Sequence, residues 1–174
     1  MPATAFSIRK RPRPLVDTSL LFPFLVWRFS EIEGIRLDTP LLAPITSDHL
    51  RKALLWYLDI GKPIQTSPHV IAEIHGLLKS RARWKGARLE SFWEFAKGEL
   101  SRLGLQEMIV TVAEMELKTL RALGPTDAAI LALGKRAGTV VLAEDGPLRA
   151  ECARQEISVL SCSAVFAEWQ KSQI

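Results

Sequence analysis

Residues 12–22 read PRPLVDTSLLF. Leu15 and Val16 form a brief apolar strand with Pro14 leading into it, and Asp17, Thr18 and Ser19 follow at once. Two structures suit that order. Asp17 either caps a helix that starts at Thr18, or it stands at the rim of a sheet as one ligand of a cation. Proline cannot donate to a sheet ladder, so a central strand here has to begin at Pro14.

Working outward, the chain alternates between two periodicities. Residues 18–29 read as a helix bent or delayed by Pro23. Residues 30–46 contain Gly34, Pro40 and Pro44 and read as a connection. Leu50, Ala53, Leu54, Tyr57 and Leu58 recur at helix spacing behind Ser47 as N-cap, and Gly61-Lys62-Pro63 ends that helix. Ser67-Pro68 opens the next, whose stripe is Val70, Ile71, Ile74, Leu77 and Leu78. Residues 86–103 form another amphipathic helix. The spacing then predicts a strand over 108–112, a helix over 114–123, a helix over 126–134 capped by Thr126, a strand over 139–142, a helix over 147–155 and a strand over 157–160. Short strands that are apolar on both faces and alternate with helices are buried and parallel. The expected class is therefore α/β, three layers in the order α/β/α, with a central parallel sheet of four or five strands. Right-handed crossovers send every strand's C-terminal end to one rim, where ligands of such sheets bind.

The chain of 174 residues suits one domain, and 48% hydrophobic residues allow a sizeable core. The formal charge is 23 − 19 = +4, which suits an anionic partner without requiring one. Cys152 and Cys162 form no CxxC motif and have no histidine at metal spacing, so zinc is not expected and a cytoplasmic location is. The longest apolar run, residues 20–27, is far shorter than the roughly 20 residues that span a bilayer. Arg9, Lys10, Arg11 and Arg13 before an apolar stretch superficially resemble a secretion signal, but Asp17 interrupts the stretch and no small-residue cleavage site follows. Residues 1–12 are read as a basic N-terminal arm and 13–168 as the folded domain.

Four carboxylates fall at or near the predicted rim. Asp17 follows the first strand, Asp145 lies three residues past Leu142, Asp127 occupies the first turn of its helix, and Glu73 flanks an apolar stripe where it should be partly covered. Each has a plainer role open to it: an N-cap for Asp17, the positive helix end for Asp127, a turn before Gly146-Pro147 for Asp145, an arginine partner for Glu73. Together they demand more. Two carboxylates about 5 Å apart repel by roughly 3 kcal/mol at an effective dielectric of 20. A fold that gathers four needs a compensating charge, and an all-oxygen set suits Mg²⁺ or Mn²⁺.

The stretches LVDTSLL (15–21), SPHVIAEIHGLL (67–78), GPTDAAILALGKRAG (124–138) and VVLAEDGPLRAECARQEISVLS (140–161) resemble the PIN-domain family, nearest to the VapC-like toxin ribonucleases of bacterial toxin–antitoxin pairs. The resemblance covers roughly residues 13–162, and TDAAILALG is its most specific part. It implies a parallel sheet with the first strand inside, and metal-dependent endonucleolytic cleavage of RNA. By motif match, Asp17, Glu73, Asp127 and Asp145 would be the catalytic acids and would hold one or two Mg²⁺ or Mn²⁺ ions. A small antitoxin protein and a homodimer are the partners it implies. The chain departs from the family pattern at Ala143, where a threonine or serine is usual, with Glu144 available to share the role of Asp145. It departs also in the length of chain between Asp17 and Glu73.

KSRARWKGAR (79–88) is a basic patch whose Trp84 either stacks on a base or sits in the core. Trp56, Trp93 and Trp169 are read as core or dimer contacts, and His75 falls on the flank opposite Glu73. Two other functions compete with the ribonuclease. One is an RNA-binding or regulatory module of the same fold without catalysis. The other is phosphotransfer with Asp17 as nucleophile, which commonly places a second acid where Ser19 stands.

Overall fold

The computed structural model describes residues 12–36, 39–136 and 138–173. Among them a parallel sheet of five strands is flanked by helices, in the order β1 (Arg13–Val16), α1 (Thr18–Glu33), α2 (Thr39–Leu42), α3 (Asp48–Ile60), β2 (Gln65–Thr66), α4 (Pro68–Ser80), α5 (Gly86–Arg102), β3 (Gln106–Glu107), α6 (Leu117–Leu123), α7 (Pro125–Gly134), β4 (Thr139–Leu142), α8 (Gly146–Arg154), β5 (Val159–Leu160) and α9 (Cys162–Lys171). The strand order is β3-β2-β1-β4-β5, all parallel. The predicted α/β class with a central parallel sheet is what the chain forms. Except for Pro12, the basic arm lies outside the described residues. Among the described residues no helix is long and apolar enough to cross a membrane.

β1 is central, and its register with β4 runs from Arg13↔Thr139 to Val16↔Leu142. It begins at Arg13, one residue earlier than the proline rule predicts. The backbone resolves the conflict. Arg13 N–H donates to Gly138 O (2.7 Å) and Asp17 N–H to Leu142 O (3.0 Å), both on the β4 side. By the two-residue period of a strand, Pro14 has its nitrogen on the β2 side, where pairing starts only at Leu15↔Gln65. The missing donor therefore falls where no acceptor waits.

Sequence periodicity placed α3, α4, α5, α7, α8 and β4 close to their observed bounds. It missed elsewhere. β2 has only two residues, both polar, beside Pro63, so no alternation marks it. The strand predicted over 108–112 is displaced to Gln106–Glu107. Backbone bonds to the β2 segment select it: Gln106 N–H to Ile64 O (2.9 Å) and Met108 N–H to Thr66 O (2.8 Å). The apolar run behind it turns only Val110 into the core and leaves Ile109 76% and Val112 72% exposed. The helix predicted over 114–123 splits into a 3₁₀ turn (Val112–Glu114) and α6. α1 runs on to Glu33 through Pro23, ended by Gly34 in the left-handed region (φ 63°). The connection over 30–46 contains α2, and α9 carries no reading in the sequence.

The core forms around α1, which buries Leu20, Leu21, Phe24, Leu25 and Phe29 almost completely. A helix apolar on every side belongs in an interior, and α1 packs against α4 and α5. Glu99 on α5 is buried and bonded by Arg28 Nε (3.2 Å) and by Arg102 Nε (2.8 Å). Burial acts against its charge, yet the two guanidiniums hold its carboxyl below the ordinary range. α7 lies close over β4 and the residue Ile157 that leads into β5. A Cβ on Gly134 would stand 2.8 Å from Ile157 Cγ2 and 3.0 Å from Val141 Cγ2, so only glycine permits the approach.

Thr126 does not cap α7. The N-cap is Gly124, with φ 94° and ψ 176°, and Pro125 takes the first helical position. Gly124 ends α6 and starts α7, so it sets the corner that delivers Asp127. Such a conformation is accessible essentially to glycine alone. Gly124→Ala is expected to destabilise the protein by about 1–2 kcal/mol, measured by denaturant unfolding.

Candidate active site

The strand order 3-2-1-4-5 reverses direction between β1 and β4. In an open parallel sheet the crevice outside the carboxyl ends of those two strands is where a ligand fits. Asp17 follows β1 there, and Glu144 and Asp145 follow β4. α4 and α7 bring Glu73 and Asp127 to the same place. All four predicted acids, Asp17, Glu73, Asp127 and Asp145, line one pocket of about 410 Å³.

Asp17 answers both readings of the opening stretch. It caps α1, because its Oδ2 accepts from Ser19 N–H (2.9 Å) and from Ser19 Oγ (2.6 Å), and it also lies in the pocket. It is 3% exposed. Burial raises its carboxyl above the ordinary range, against the pull of the Ser19 and Thr18 bonds, and Glu73 adds to the rise. Asp145 caps α8 by accepting from Leu148 N–H (2.8 Å) through Oδ1. Asp127 is half-buried and its carboxyl is pushed up to about 7, first by burial and then by Asp17, Asp145 and Glu73.

Glu73 departs from its predicted covered position and is exposed. The stripe that α4 buries is Val70, Ile74 and Leu78, and Glu73 lies beside it on the pocket rim. Its partner is the hydroxyl of Thr18, which donates to Oε2 at 2.8 Å, in place of an arginine. Among the described residues no lysine, arginine or histidine forms an ion pair with Asp17, Glu73, Asp127 or Asp145. Glu144 also lines the pocket, but its carboxylate turns away. It accepts from Cys162 N–H at the start of α9 and lies 3.8 Å from Arg149. Ala143 is fully buried.

Two residues not assigned as site residues from sequence hold the arrangement together. Ser19 Oγ donates to Asp17 and accepts from the backbone N–H of Glu144 (2.9 Å), with Asp145 N–H at 3.4 Å. One hydroxyl thus ties the end of β1 to the end of β4. Thr18 ties α1 to α4 through Glu73. The signal was the hydroxyl pair directly after Asp17, but the partners lie 55 and 125 residues away. Ser19→Ala should cost about 1–2 kcal/mol of stability by leaving partly buried groups unpaired, and it should lower any activity that depends on Asp17. Thermal unfolding and a rate assay check the two effects.

Carboxylates and hydroxyls supply the whole donor set, and hard cations take oxygen ligands. In kind, these residues fit Mg²⁺ or Mn²⁺. Among the described residues no group of three or more His, Cys, Asp or Glu side chains stands ready to hold one ion. Mg²⁺ usually keeps several waters and takes one or two carboxylates, so fewer direct ligands suffice. The other sequence features resolve into structure. His75 stacks on Trp93 and accepts its indole N–H (3.2 Å). Cys152 and Cys162 are free and buried, and burial pushes both thiols up to about 12. Trp84 is a core residue against Phe29 and Phe92, which removes it as a base-stacking platform.

Fold and site together define an α/β protein with an acidic pocket at the switch point of an all-parallel sheet, in which Asp17, Glu73, Asp127 and Asp145 are ion-paired with no cation among the described residues. Compared with family models, with curated proteins and with solved structures, the chain gives no significant match.

Proposed function

We propose that this protein is a metal-dependent endoribonuclease of the PIN type. One observation carries the reading: four carboxylates from four separate segments line one pocket, none of them in an ion pair among the described residues, and burial together with the other three pushes the carboxyl of Asp127 up to about 7. Structural acids are ordinarily paired or solvated apart, and unrelieved repulsion at a ligand-binding rim points to a cation as the missing partner.

Asp17, Asp127, Asp145 and Glu73 would hold one or two Mg²⁺ or Mn²⁺ ions. When bound, such an ion supplies charge neutralisation at a phosphodiester and makes water more acidic. The chain's own residues do the positioning. Ser19 orients the Asp17 carboxylate, Thr18 holds Glu73 at the rim, and the start of α8 fixes Asp145. Asp127, its carboxyl pushed up to about 7 by burial and by the neighbouring acids, would give up its proton to a cation that fills the pocket.

The test is incubation of labelled RNA with the purified protein, with Mn²⁺ or with EDTA. Cleavage in Mn²⁺ alone supports the reading. Binding without cleavage in either condition points instead to a regulatory RNA-binding module. On the ribonuclease reading a toxin role follows from the family resemblance, with a small antitoxin and a second copy of the chain as partners. Co-expression with a neighbouring small protein, followed by copurification, tests that role.

A further inference from the structure

The acidic pocket does not end at Glu73. Pro40, Leu41 and Arg81 line it and also line a second cavity of about 620 Å³, whose other residues include Arg83. The two form one cleft with α2 on one side and α4 on the other. Glu73 and Leu77 on α4 and its C-cap, Arg81, lie four residues apart, so one face runs from acid through apolar to base. At 1.5 Å per residue that is about 12 Å of cleft.

Five cations occupy residues 79–88, but the cleft singles out Arg81 and Arg83. Both are exposed, and neither forms an ion pair among the described residues. Arg88 is engaged over the Trp84 ring, 4.6 Å from its centroid. Arg83 stands at φ 55°, in the left-handed region two residues past Arg81, the C-cap of α4. Its neighbours hold it there: Ala82 N–H donates to Leu77 O (3.1 Å), Trp84 N–H to Leu78 O (3.0 Å), and Trp84 is buried.

Resting on the ribonuclease reading, we propose that the cleft binds single-stranded RNA, with Arg81 and Arg83 holding a backbone phosphate that flanks the one presented to the acids. Charge order supports the arrangement. The strand meets positive side chains away from the reacting centre, and its sugar and base pass the apolar stretch at Leu77 and Leu41. Asp17 lies at the floor of the cleft, so a thin flexible strand reaches it and a rigid duplex is held off.

The experiment is fluorescence anisotropy of a labelled single-stranded oligoribonucleotide with the full chain in EDTA, repeated across a salt titration. Arg81→Ala combined with Arg83→Gly should weaken binding at least about tenfold and reduce the salt slope by about 0.7 for each phosphate that the variant no longer neutralises. Arg83→Gly alone should weaken binding while leaving Tm unchanged or higher, because glycine relieves the left-handed strain; a structural arginine would lower Tm instead. Lys79→Ala with Lys85→Ala removes the same charge from the same segment outside the cleft and should bind nearly as wild type. Equal weakening in that control, unchanged binding in the arginine variant, or equal affinity for duplex RNA overturns the proposal. Cleavage by the wild type in Mn²⁺ would still stand in those cases, so the ribonuclease reading is judged separately. A wild type that neither binds nor cleaves RNA removes both.

Discussion

The Asp17→Asn protein is expected to lose Mn²⁺-dependent cleavage of RNA by at least about 10²-fold in kcat/KM, on the scale of removing one electrostatic group aimed at a transition state. Stability should not fall with it. Asparagine caps helices as well as aspartate does, so the bonds from Ser19 to the side chain at position 17 have an acceptor in the variant. The native carboxylate is 3% exposed and its pKa is raised by burial, so a neutral isostere relieves a cost. The informative result is a pair of measurements: activity gone, with Tm equal or higher. Full cleavage by the purified Asp17→Asn protein would remove the acidic pocket from the reaction.

The second large effect is on stability and changes sign with the contents of the pocket. Asp127 has a carboxyl raised to about 7, against 3.8 for the free side chain. Between those values the folded protein binds a proton that the unfolded chain does not. Stability contributed by this group is therefore greatest near the acid end and falls as pH rises through that window. The full shift corresponds to about 4 kcal/mol, and solvent screening of a half-exposed group reduces it to roughly 1–2 kcal/mol. Asp17, also raised, acts in the same sense. Asp59, held low by Lys62 and Arg102, and Glu99, held low by Arg102 and Arg28, act oppositely, with stability lost only as pH falls through their depressed range. Asp127→Asn should flatten the decline and raise the Tm of the ion-free protein at pH 8 while abolishing cleavage. Saturating Mn²⁺ should stabilise the native chain at pH 8 by about 2.7 kcal/mol at a hundredfold excess over Kd, or about 5–10 °C in Tm. At pH 5 protons compete and the gain shrinks. A Tm at pH 8 indifferent to Mn²⁺ would show that these acids hold no ion.

Much of the architecture was legible because helix faces are written locally. Leu54 and Leu58 lie one turn apart and both enter the core, as do Val70, Ile74 and Leu78. Asp17 and Asp145 were visible as strand-end acids because the strand before each is a short apolar run, and both do lie at the C-terminal rim. Legibility failed where the deciding contact was distant. β2 and β3 are two residues each, and what makes them strands is bonding to one another and to β1. Spacing left Trp84 open between stacking on a base and a place in the core, with the core slightly favoured, and Phe29 and Phe92 decide for the core.

By itself the sequence determined the α/β class, most of the helices, and which four carboxylates to watch, since each of these follows from spacing along a few turns or from the residue that ends a strand. Only the tertiary structure decided that those acids share one pocket, that a serine and a threonine hold them, that Glu73 stands exposed on the rim, and that two arginines extend the cleft. Those facts depend on pairs such as Ser19 with Glu144, 125 residues apart. Local periodicity carries no information about such pairs, because it is sheet order and helix packing that bring them within bonding distance.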